Sequence, residues 1–321
     1  MRAHNSISVF GLRVLAFVTF VLAASAQPYA YVSNEEGNNI SVVNMATNTI
    51  SAEISVSSAG LSGVAITPNG SYLYVAEQSL NSVAVISTAS NSVVATIPVG
   101  HGPVQVAITT NGEAAYVANA LSNNVSVIKT ATNAVVATIA VGSKPVALAI
   151  TPNSATVLVA NLLSSTISSI STVSNSVKAT WTTASGPSAI TVGPMGATAY
   201  VAGQYANSIA VHSIASGEIA HTITGFAAPV SLALTPTGSY LYVVNGNSST
   251  VAVVNTSNDE IATTVEVGLL PTAAAVSPNG SMVCVTNADG FSMSEINTAT
   301  NTVEFTLPHV GIYPFSLVLY N

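Results

Sequence analysis

Charged side chains are scarce in this sequence. Of its 321 residues, 5 are Lys or Arg and 12 are Asp or Glu, so that 5% of the chain is charged, against about 25% in an average soluble domain. Both arginines, Arg2 and Arg13, lie near the N-terminus, and residues 27–321 therefore contain three lysines and all 12 acids. Because proteins bind nucleic acid phosphates chiefly through Arg and Lys, this composition argues against nucleic acid as a partner.

Cysteine is almost absent as well. The single cysteine, Cys284, excludes an internal disulfide framework, a cysteine-based zinc site and a CxxCH haem-attachment motif. The sequence also has no GxSxG, HExxH or phosphate-loop pattern. Although 49% of the residues are hydrophobic, Ser, Thr, Asn and Gly interrupt every apolar run after residue 26, which argues against a polytopic membrane protein. These exclusions leave a strand-rich globular protein.

The first 26 residues have the pattern of an export signal. Arg2 and Arg13 form a cationic segment before an apolar run at 14–23. This run is too short to span a bilayer, and the sequence Ala-Ser-Ala follows it. We expect cleavage after Ala26 and export to the periplasm, the extracellular space or the cell surface, with no membrane insertion of the mature protein. An uncleaved membrane anchor is the alternative interpretation of this segment.

A repeat of 42 residues fills the rest of the chain. The tetrapeptide YVAN and its variants begin at Tyr31, Tyr74, Tyr116, Leu158, Tyr200, Tyr242 and Cys284. A turn residue recurs at the same interval, at Asn48, Asn91, Asn133, Asn175, Gly217, Asp259 and Asn301. Seven such units account for residues 27–321 as a single domain. We expect no second domain within these residues.

Each repeat contains four short β signals, which we name a to d in chain order. In the second repeat they read GVAIT, YLYVA, SVAVIS and SVVATIPV, separated by turn residues such as Pro-Asn-Gly. This pattern predicts an all-β, seven-bladed β-propeller of four-stranded antiparallel blades. The chain enters on a b-type strand near Ala30 and ends on an a-type strand from Pro314. We therefore expect the C-terminal strand to pair with the N-terminal blade and close the ring, with an open solenoid as the alternative.

The repeat resembles a known family. The YVAN-type tetrapeptides, the stretch SVIKTATNAVVATIAVG from Ser126 and the G-x-x-P-x-x-[VL]-A-[IL]-T-P pattern are similar to those of the YVTN family of seven-bladed β-propeller repeats. The resemblance covers residues 27–321 and implies an exported bacterial or archaeal surface-layer type of protein, used mostly as a binding or scaffold unit. The same broad fold also carries lactonases and the beta subunit of quinohemoprotein amine dehydrogenase, so the resemblance alone implies no activity.

The expected function is that of an exported, non-catalytic binding or surface scaffold module. Lactonase-type propellers depend on a metal or on Arg and His over the central channel, and residues 27–321 contain no Arg. We expect the channel mouth to face a polar ligand, an envelope polysaccharide or a protein partner, with no required cofactor. The alternative is a lactonase-like or lyase-like hydrolytic propeller with a metal-assisted site on blades 7, 1 and 2.

A group of acids and histidines forms the candidate site. In a propeller the b–c and d–a loops lie around the channel mouth, and three neighbouring blades place their acids and histidines there. These residues are Glu35, Glu36, Glu77, Asp289, His101 and His309. They are either solvated loop charges or a ligand site. Because crowded carboxylates favour a hard cation, the sequence predicts Ca²⁺ binding at Glu35, Glu77 and Asp289. Cys284 replaces the Tyr of the repeat, and we expect it to be a small buried thiol.

Overall fold

The computed structural model describes residues 28–57 and 60–320, and its regular secondary structure consists of 28 β-strands. The predicted signal peptide lies outside these residues and stays a prediction. Within them, no helix has the length and the apolar character needed to cross a membrane.

The strands are short and evenly spaced. In chain order they are β1 (Tyr29–Asn34), β2 (Asn39–Asn44), β3 (Thr49–Ser55), β4 (Leu61–Ile66), β5 (Tyr72–Glu77), β6 (Ser82–Ser87), β7 (Ser92–Pro98), β8 (Pro103–Ile108), β9 (Ala114–Asn119), β10 (Asn124–Lys129), β11 (Ala134–Ala140), β12 (Pro145–Ile150), β13 (Thr156–Asn161), β14 (Thr166–Ser171), β15 (Ser176–Thr182), β16 (Pro187–Val192), β17 (Thr198–Gly203), β18 (Ser208–Ser213), β19 (Ile219–Thr224), β20 (Pro229–Leu234), β21 (Tyr240–Asn245), β22 (Thr250–Asn255), β23 (Glu260–Glu266), β24 (Pro271–Val276), β25 (Met282–Asn287), β26 (Ser292–Asn297), β27 (Thr302–Leu307) and β28 (Pro314–Tyr320).

These strands form seven antiparallel sheets of four, which confirms the predicted seven-bladed propeller. Blade 1 has the order β28-β1-β2-β3, and blades 2 to 7 each consist of four consecutive strands, from β4–β7 to β24–β27. Strand β28 pairs with β1 along its length, with Tyr29 opposite Tyr320 and Val32 opposite Leu317. The predicted ring closure by the C-terminal strand is therefore confirmed.

The hydrophobic core lies between the blades rather than within one of them. Both faces of the b and c strands are buried, as in β5, β6 and β13, whereas the outer d strands are mostly exposed. One core cluster, for example, joins Ile40 and Ile54 of blade 1 to Leu73 and Val75 of blade 2. This is why the strands read as apolar runs rather than as a strict alternation of apolar and polar residues.

The repeated asparagines hold the tight turns and also join the blades. Asn133 and Asn175 adopt positive φ angles of 51° and 47°, a conformation that Asn tolerates better than most residues. Their side-chain oxygens accept hydrogen bonds from tyrosines of the preceding blade, Tyr74 to Asn133 at 2.7 Å and Tyr116 to Asn175 at 3.0 Å. The Tyr and the Asn of the repeat thus form the joint between neighbouring blades.

The joint between blades 7 and 1, which we call the seam, is built differently. Cys284 stands where the tyrosine would be, and it is fully buried as predicted. Its cross-strand neighbour is Glu295, a buried carboxylate. The side-chain amide of Asn48 in blade 1 has one orientation that suits both its nitrogen and its oxygen. In that orientation its nitrogen donates to Glu295 at 3.1 Å and to the Met45 carbonyl at 3.0 Å. A carboxylate therefore replaces the phenol at this joint.

Candidate functional site

The channel mouth is a cavity of about 410 Å³, formed by the d–a loops, the b–c loops and the starts of the innermost strands. Beneath it lies a second cavity of about 230 Å³, in the channel between the innermost strands. Val104, Val146, Val230 and Phe315 line both cavities, so the mouth opens into the channel. The volume of the mouth lies in the range of small-molecule sites, whereas that of the channel cavity lies below it.

Two polar side chains of this mouth belong to blades on opposite sides of the ring. Lys144 precedes β12 of blade 4, and Tyr313 precedes β28 of blade 1. The ion pair among the described residues joins His221 to Asp259. Lys144 therefore has no carboxylate partner within the part of the chain that the structure describes. An unpaired ammonium and a phenol thus face the same cavity.

Lys144 and Tyr313 are held in an unusual backbone conformation. The residue that precedes each innermost strand has a positive φ angle in all seven blades. Three blades place glycine there, which adopts this conformation at no steric cost. The others place Lys144 (φ 56°), Ala228 (φ 49°), Leu270 (φ 49°) and Tyr313 (φ 57°) there. Large side chains rarely occupy this region, and such strain concentrates at functional sites.

Part of the predicted acidic group surrounds Tyr313. The Glu35 amide donates to the Tyr313 carbonyl at 2.9 Å, so the backbones of the two residues lie side by side. Burial raises the pKa of the Tyr313 phenol, and the nearby carboxylates of Glu35, Asp289 and Glu36 raise it further. The pKa of Glu35 is itself raised, first by burial and then by Glu36. The structure therefore places Glu35, Glu36 and Asp289 near Tyr313, although none of the three lines the mouth cavity.

Glu77 does not belong to this group. It is the last residue of β5, fully buried, and its Oε2 accepts a hydrogen bond from the Ser82 hydroxyl at 2.6 Å. Asn119 occupies the same place in blade 3, where its amide donates to Asn124 and Ser126 at 2.8 and 2.9 Å. Glu77 thus replaces a framework asparagine that ties strand b to strand c, and its carboxylate points into the sheet rather than to the mouth.

The two predicted histidines lie at the edge of this region. His101 and His309 are both exposed, and neither lines the mouth cavity. The backbone of His101 is fixed by bonds of its amide to Ser122 at 3.0 Å and of its carbonyl to Leu121 at 3.1 Å. Like the acids, they lie outside the lining of the mouth cavity.

The described residues contain no group of three or more His, Cys, Asp or Glu side chains placed to hold a metal ion. The structure thus does not assemble Glu35, Glu77 and Asp289 into a cage, because Glu77 is buried in blade 2. Calcium binding stays a prediction for solution. Titration calorimetry tests it directly, with Glu35→Gln and Asp289→Asn expected to remove any heat of binding.

Sequence reasoning missed both Lys144 and Tyr313. The sequence-based site was built from acids and histidines on neighbouring loops, and neither Lys144 nor Tyr313 is an acid or a histidine. The signal that identifies them is the position itself: the repeat aligns Lys144 and Tyr313 with Gly60, Gly102 and Gly186. A large side chain at a position that favours glycine indicates a role for that side chain, and here both side chains line the mouth cavity.

A family model described as "Lactonase, 7-bladed beta-propeller" matches residues 5–137 and 143–287. This finding overturns the expectation of a non-catalytic scaffold and favours the hydrolytic alternative. It supports a seven-bladed propeller family but does not confirm the YVTN name.

Solved structures of similar fold are distant in sequence. Hydrazine synthase of Kuenenia stuttgartiensis has a TM-score of 0.79 at 21% identity and covers 84% of this chain and 92% of its own. A protein of unknown function from Desulfotomaculum acetoxidans DSM 771 has a TM-score of 0.81 at 19% identity, and the match covers 91% of this chain and 98% of that one.

A third similar structure, from Bacteroides uniformis ATCC 8492, is provisionally assigned as a 6-phosphogluconolactonase. It has a TM-score of 0.78 at 18% identity and covers 92% of this chain and 100% of its own. At these identities the three structures support the fold alone. No curated protein matches the chain significantly. On the family match, the chain belongs to the seven-bladed β-propeller lactonase family.

Proposed function

We propose that the protein is a hydrolase that opens lactones at the channel mouth. The observation that carries this proposal is that Lys144 and Tyr313 line one cavity, with Glu35 fixed beside Tyr313. Family membership supports the reaction class. Lys144 and Tyr313 of the mouth, together with the neighbouring Glu35, are groups of the kinds that the reaction needs.

Lactone hydrolysis adds water to the ring carbonyl and then breaks the ring C–O bond to give a hydroxy acid. Negative charge develops on the carbonyl oxygen, and the unpaired ammonium of Lys144 stabilises it. The attacking water must lose a proton, which Glu35 accepts. Its raised pKa makes this carboxylate a stronger base than an ordinary one.

Tyr313 supplies the proton donor in this proposal. Burial and the neighbouring carboxylates raise the pKa of its phenol, which therefore stays protonated across the neutral range. A neutral phenol donates a hydrogen bond to the ring oxygen and can protonate the alkoxide as the ring opens. The proton that Glu35 takes from water then returns to the phenolate or to solvent.

The mouth favours lactones that carry no phosphate. Residues 27–321 contain no Arg, the side chain that binds phosphate in a bidentate manner. Lys144 is the one lysine that lines the mouth cavity, and the proposal uses its charge on the carbonyl oxygen. We therefore expect neutral lactones to be better substrates than sugar-phosphate lactones.

A pH-stat assay on a panel of neutral lactones tests this proposal. Lys144→Met and Glu35→Gln are each expected to lower kcat/KM by about 100-fold or more, because each removes a group that acts in the transition state. Lys129→Met and Glu218→Gln are matched controls, since these residues lie on exposed surface away from the mouth. Hydrolysis no faster than in buffer for every lactone, or equal losses in the controls, would contradict the proposal.

A further inference from the structure

Three polar side chains lie at one level of the channel wall beneath the mouth. Each innermost strand places its third residue on this wall. In blades 2, 4, 5 and 7 that residue is glycine or alanine. The remaining three are Gln105 of blade 3, Ser231 of blade 6 and Ser316 of blade 1. The short residues of the other blades leave space around these polar groups.

The side-chain amide of Gln105 has a free donor. Its oxygen accepts a hydrogen bond from the Leu148 amide of blade 4. Because a backbone amide can only donate, this bond fixes which end of the side chain is the oxygen. The nitrogen, with two hydrogens, has no partner among the described residues. Gly63 of blade 2 makes room for this side chain, since a Cβ there would lie 2.6 Å from the Gln105 Cα and 3.1 Å from its Cγ.

The two serines add free donors from other blades. The Ser231 hydroxyl accepts from the Ala274 amide at 3.2 Å and keeps its own hydrogen free. The Ser316 hydroxyl has no partner within the part of the chain that the structure describes. Ser188 of the same wall differs, because its hydroxyl already donates to the Pro229 carbonyl at 2.7 Å. The channel therefore offers hydrogen-bond donors from three blades, and no charged side chain lines it.

An apolar collar lies between these donors and the mouth. It consists of the second residues of four innermost strands, Val104, Val146, Val230 and Phe315. A hydrogen bond beneath such a collar is stronger than one in open water, and a donor left without a partner there is unfavourable. A carboxylate would lose its water with no cation beside it, because Lys144 lines the mouth and not the channel. The group that fits the channel best is a neutral acceptor.

We propose that the substrate is a lactone with a neutral carbonyl group on a short side arm, as in a ketone, ester or amide. The carbonyl oxygen enters the channel and accepts hydrogen bonds from Gln105 and the serines, while the lactone ring stays at the mouth near Lys144. This inference rests on the proposed function and adds the substrate class. A methylene in place of the carbonyl leaves the donors without a partner, and a hydroxyl must also find an acceptor for its own hydrogen.

Three γ-lactams with side arms of equal size test this inference. The arms are 2-oxopropyl, 2-hydroxypropyl and isobutyl, which have the same number of heavy atoms. Lactams resist hydrolysis, so calorimetry reports binding without turnover. We expect the 2-oxopropyl lactam to bind about fivefold more tightly than the isobutyl lactam for each hydrogen bond gained, with the 2-hydroxypropyl lactam between them. Equal affinities, or tightest binding of either other lactam, would overturn the inference.

Two variants locate the carbonyl in the channel. Gln105→Glu keeps an oxygen for the Leu148 amide but replaces the free donor, and Ser316→Ala removes a free hydroxyl. Each is expected to weaken binding of the 2-oxopropyl lactam about fivefold or more and to change that of the isobutyl lactam less. Ser188→Ala is the matched control, since its hydroxyl is already bonded. Melting curves identify any variant that fails to fold, in which case the wild-type lactam series decides. If both folded variants keep the wild-type preference, the carbonyl does not enter the channel.

Comparison of the lactams with the corresponding lactones separates this inference from the proposed function. Preferred binding of the 2-oxopropyl lactam without hydrolysis of any lactone would overturn the proposed function and support the carbonyl site. Hydrolysis of the lactones without any preference for the 2-oxopropyl lactam would support the proposed function and overturn the carbonyl site.

Discussion

The seam and the joint between blades 3 and 4 hold neighbouring blades together by different chemistry. At the latter, the phenol of Tyr116 donates to Asn175 at 3.0 Å, and both groups are neutral across the physiological pH range. At the seam, Asn48 meets the buried carboxylate of Glu295, beside the thiol of Cys284. The ring is therefore closed through a group that can ionise, whereas the blade 3–4 joint is held by one that stays neutral.

This difference arises from two coupled replacements. Cys284 takes the place of the repeat's tyrosine, and Glu295 takes the place of the valine found at the same point of strand c in most other repeats. The two residues are cross-strand neighbours, so the smaller thiol leaves room for the longer carboxylate. The seam also carries Glu35, Asp289 and Tyr313 at its other end. The joint that closes the ring thus carries several titratable groups.

The largest expected effect comes from removing the strand that makes the seam. A chain truncated after Gly311 lacks β28, so that β1 becomes an open edge and the channel loses one wall. We expect aggregation and loss of cooperative unfolding, measured by light scattering and calorimetry. Deletion of Asn321 alone is the control. A truncated protein that stays monomeric with an unchanged melting curve would refute closure by β28.

The next effect is a dependence of stability on pH at the seam. Burial raises the pKa of Glu295 from an ordinary 4.5 to about 7, the Asn48 hydrogen bond opposes this shift, and Glu304 adds to it. The folded protein therefore holds this proton more tightly than the unfolded chain. The stability that the proton provides is complete below about pH 4.5 and is lost as the pH rises to about 7.

Glu295→Gln keeps the shape of the side chain and removes its charge. Between pH 4.5 and 8 the wild-type protein is expected to lose up to about 3 kcal/mol that the variant keeps. Denaturant titrations at the two pH values measure this difference. Tyr116→Phe is the matched control: it removes one hydrogen bond and is expected to cost about 1 kcal/mol equally at both values. Identical pH slopes for wild type and Glu295→Gln would show that the fold does not shift the pKa of Glu295.

The sequence predicted the repeat and its closure because each blade must bury the same faces and make the same turns. Asn133 and Asn175 show this most directly. Each holds a tight turn and also accepts the tyrosine hydrogen bond that joins neighbouring blades. The site was harder to predict because side-chain direction decides it. Glu77 looks like a loop acid in the sequence, yet it continues strand b and points inward. Glu295 lies within an ordinary strand pattern, and its replacement of a valine is visible only when the repeats are aligned.

The smallest expected effect concerns Tyr313, the seam residue at the mouth, for which Tyr313→Gly separates stability from activity. At a positive φ angle a residue with a side chain destabilises the fold by about 1–2 kcal/mol. Glycine avoids this strain but loses more conformational entropy on folding, which costs about 0.5–1 kcal/mol. We expect the variant to be as stable as wild type or more stable by up to about 1 kcal/mol, and to hydrolyse lactones more slowly. Leu270→Gly, with the same backbone conformation but no polar group, is expected to keep stability and most of the activity. A Tyr313→Gly protein that loses stability and keeps its activity would mean that the phenol serves packing rather than chemistry, and the strained position would need another explanation.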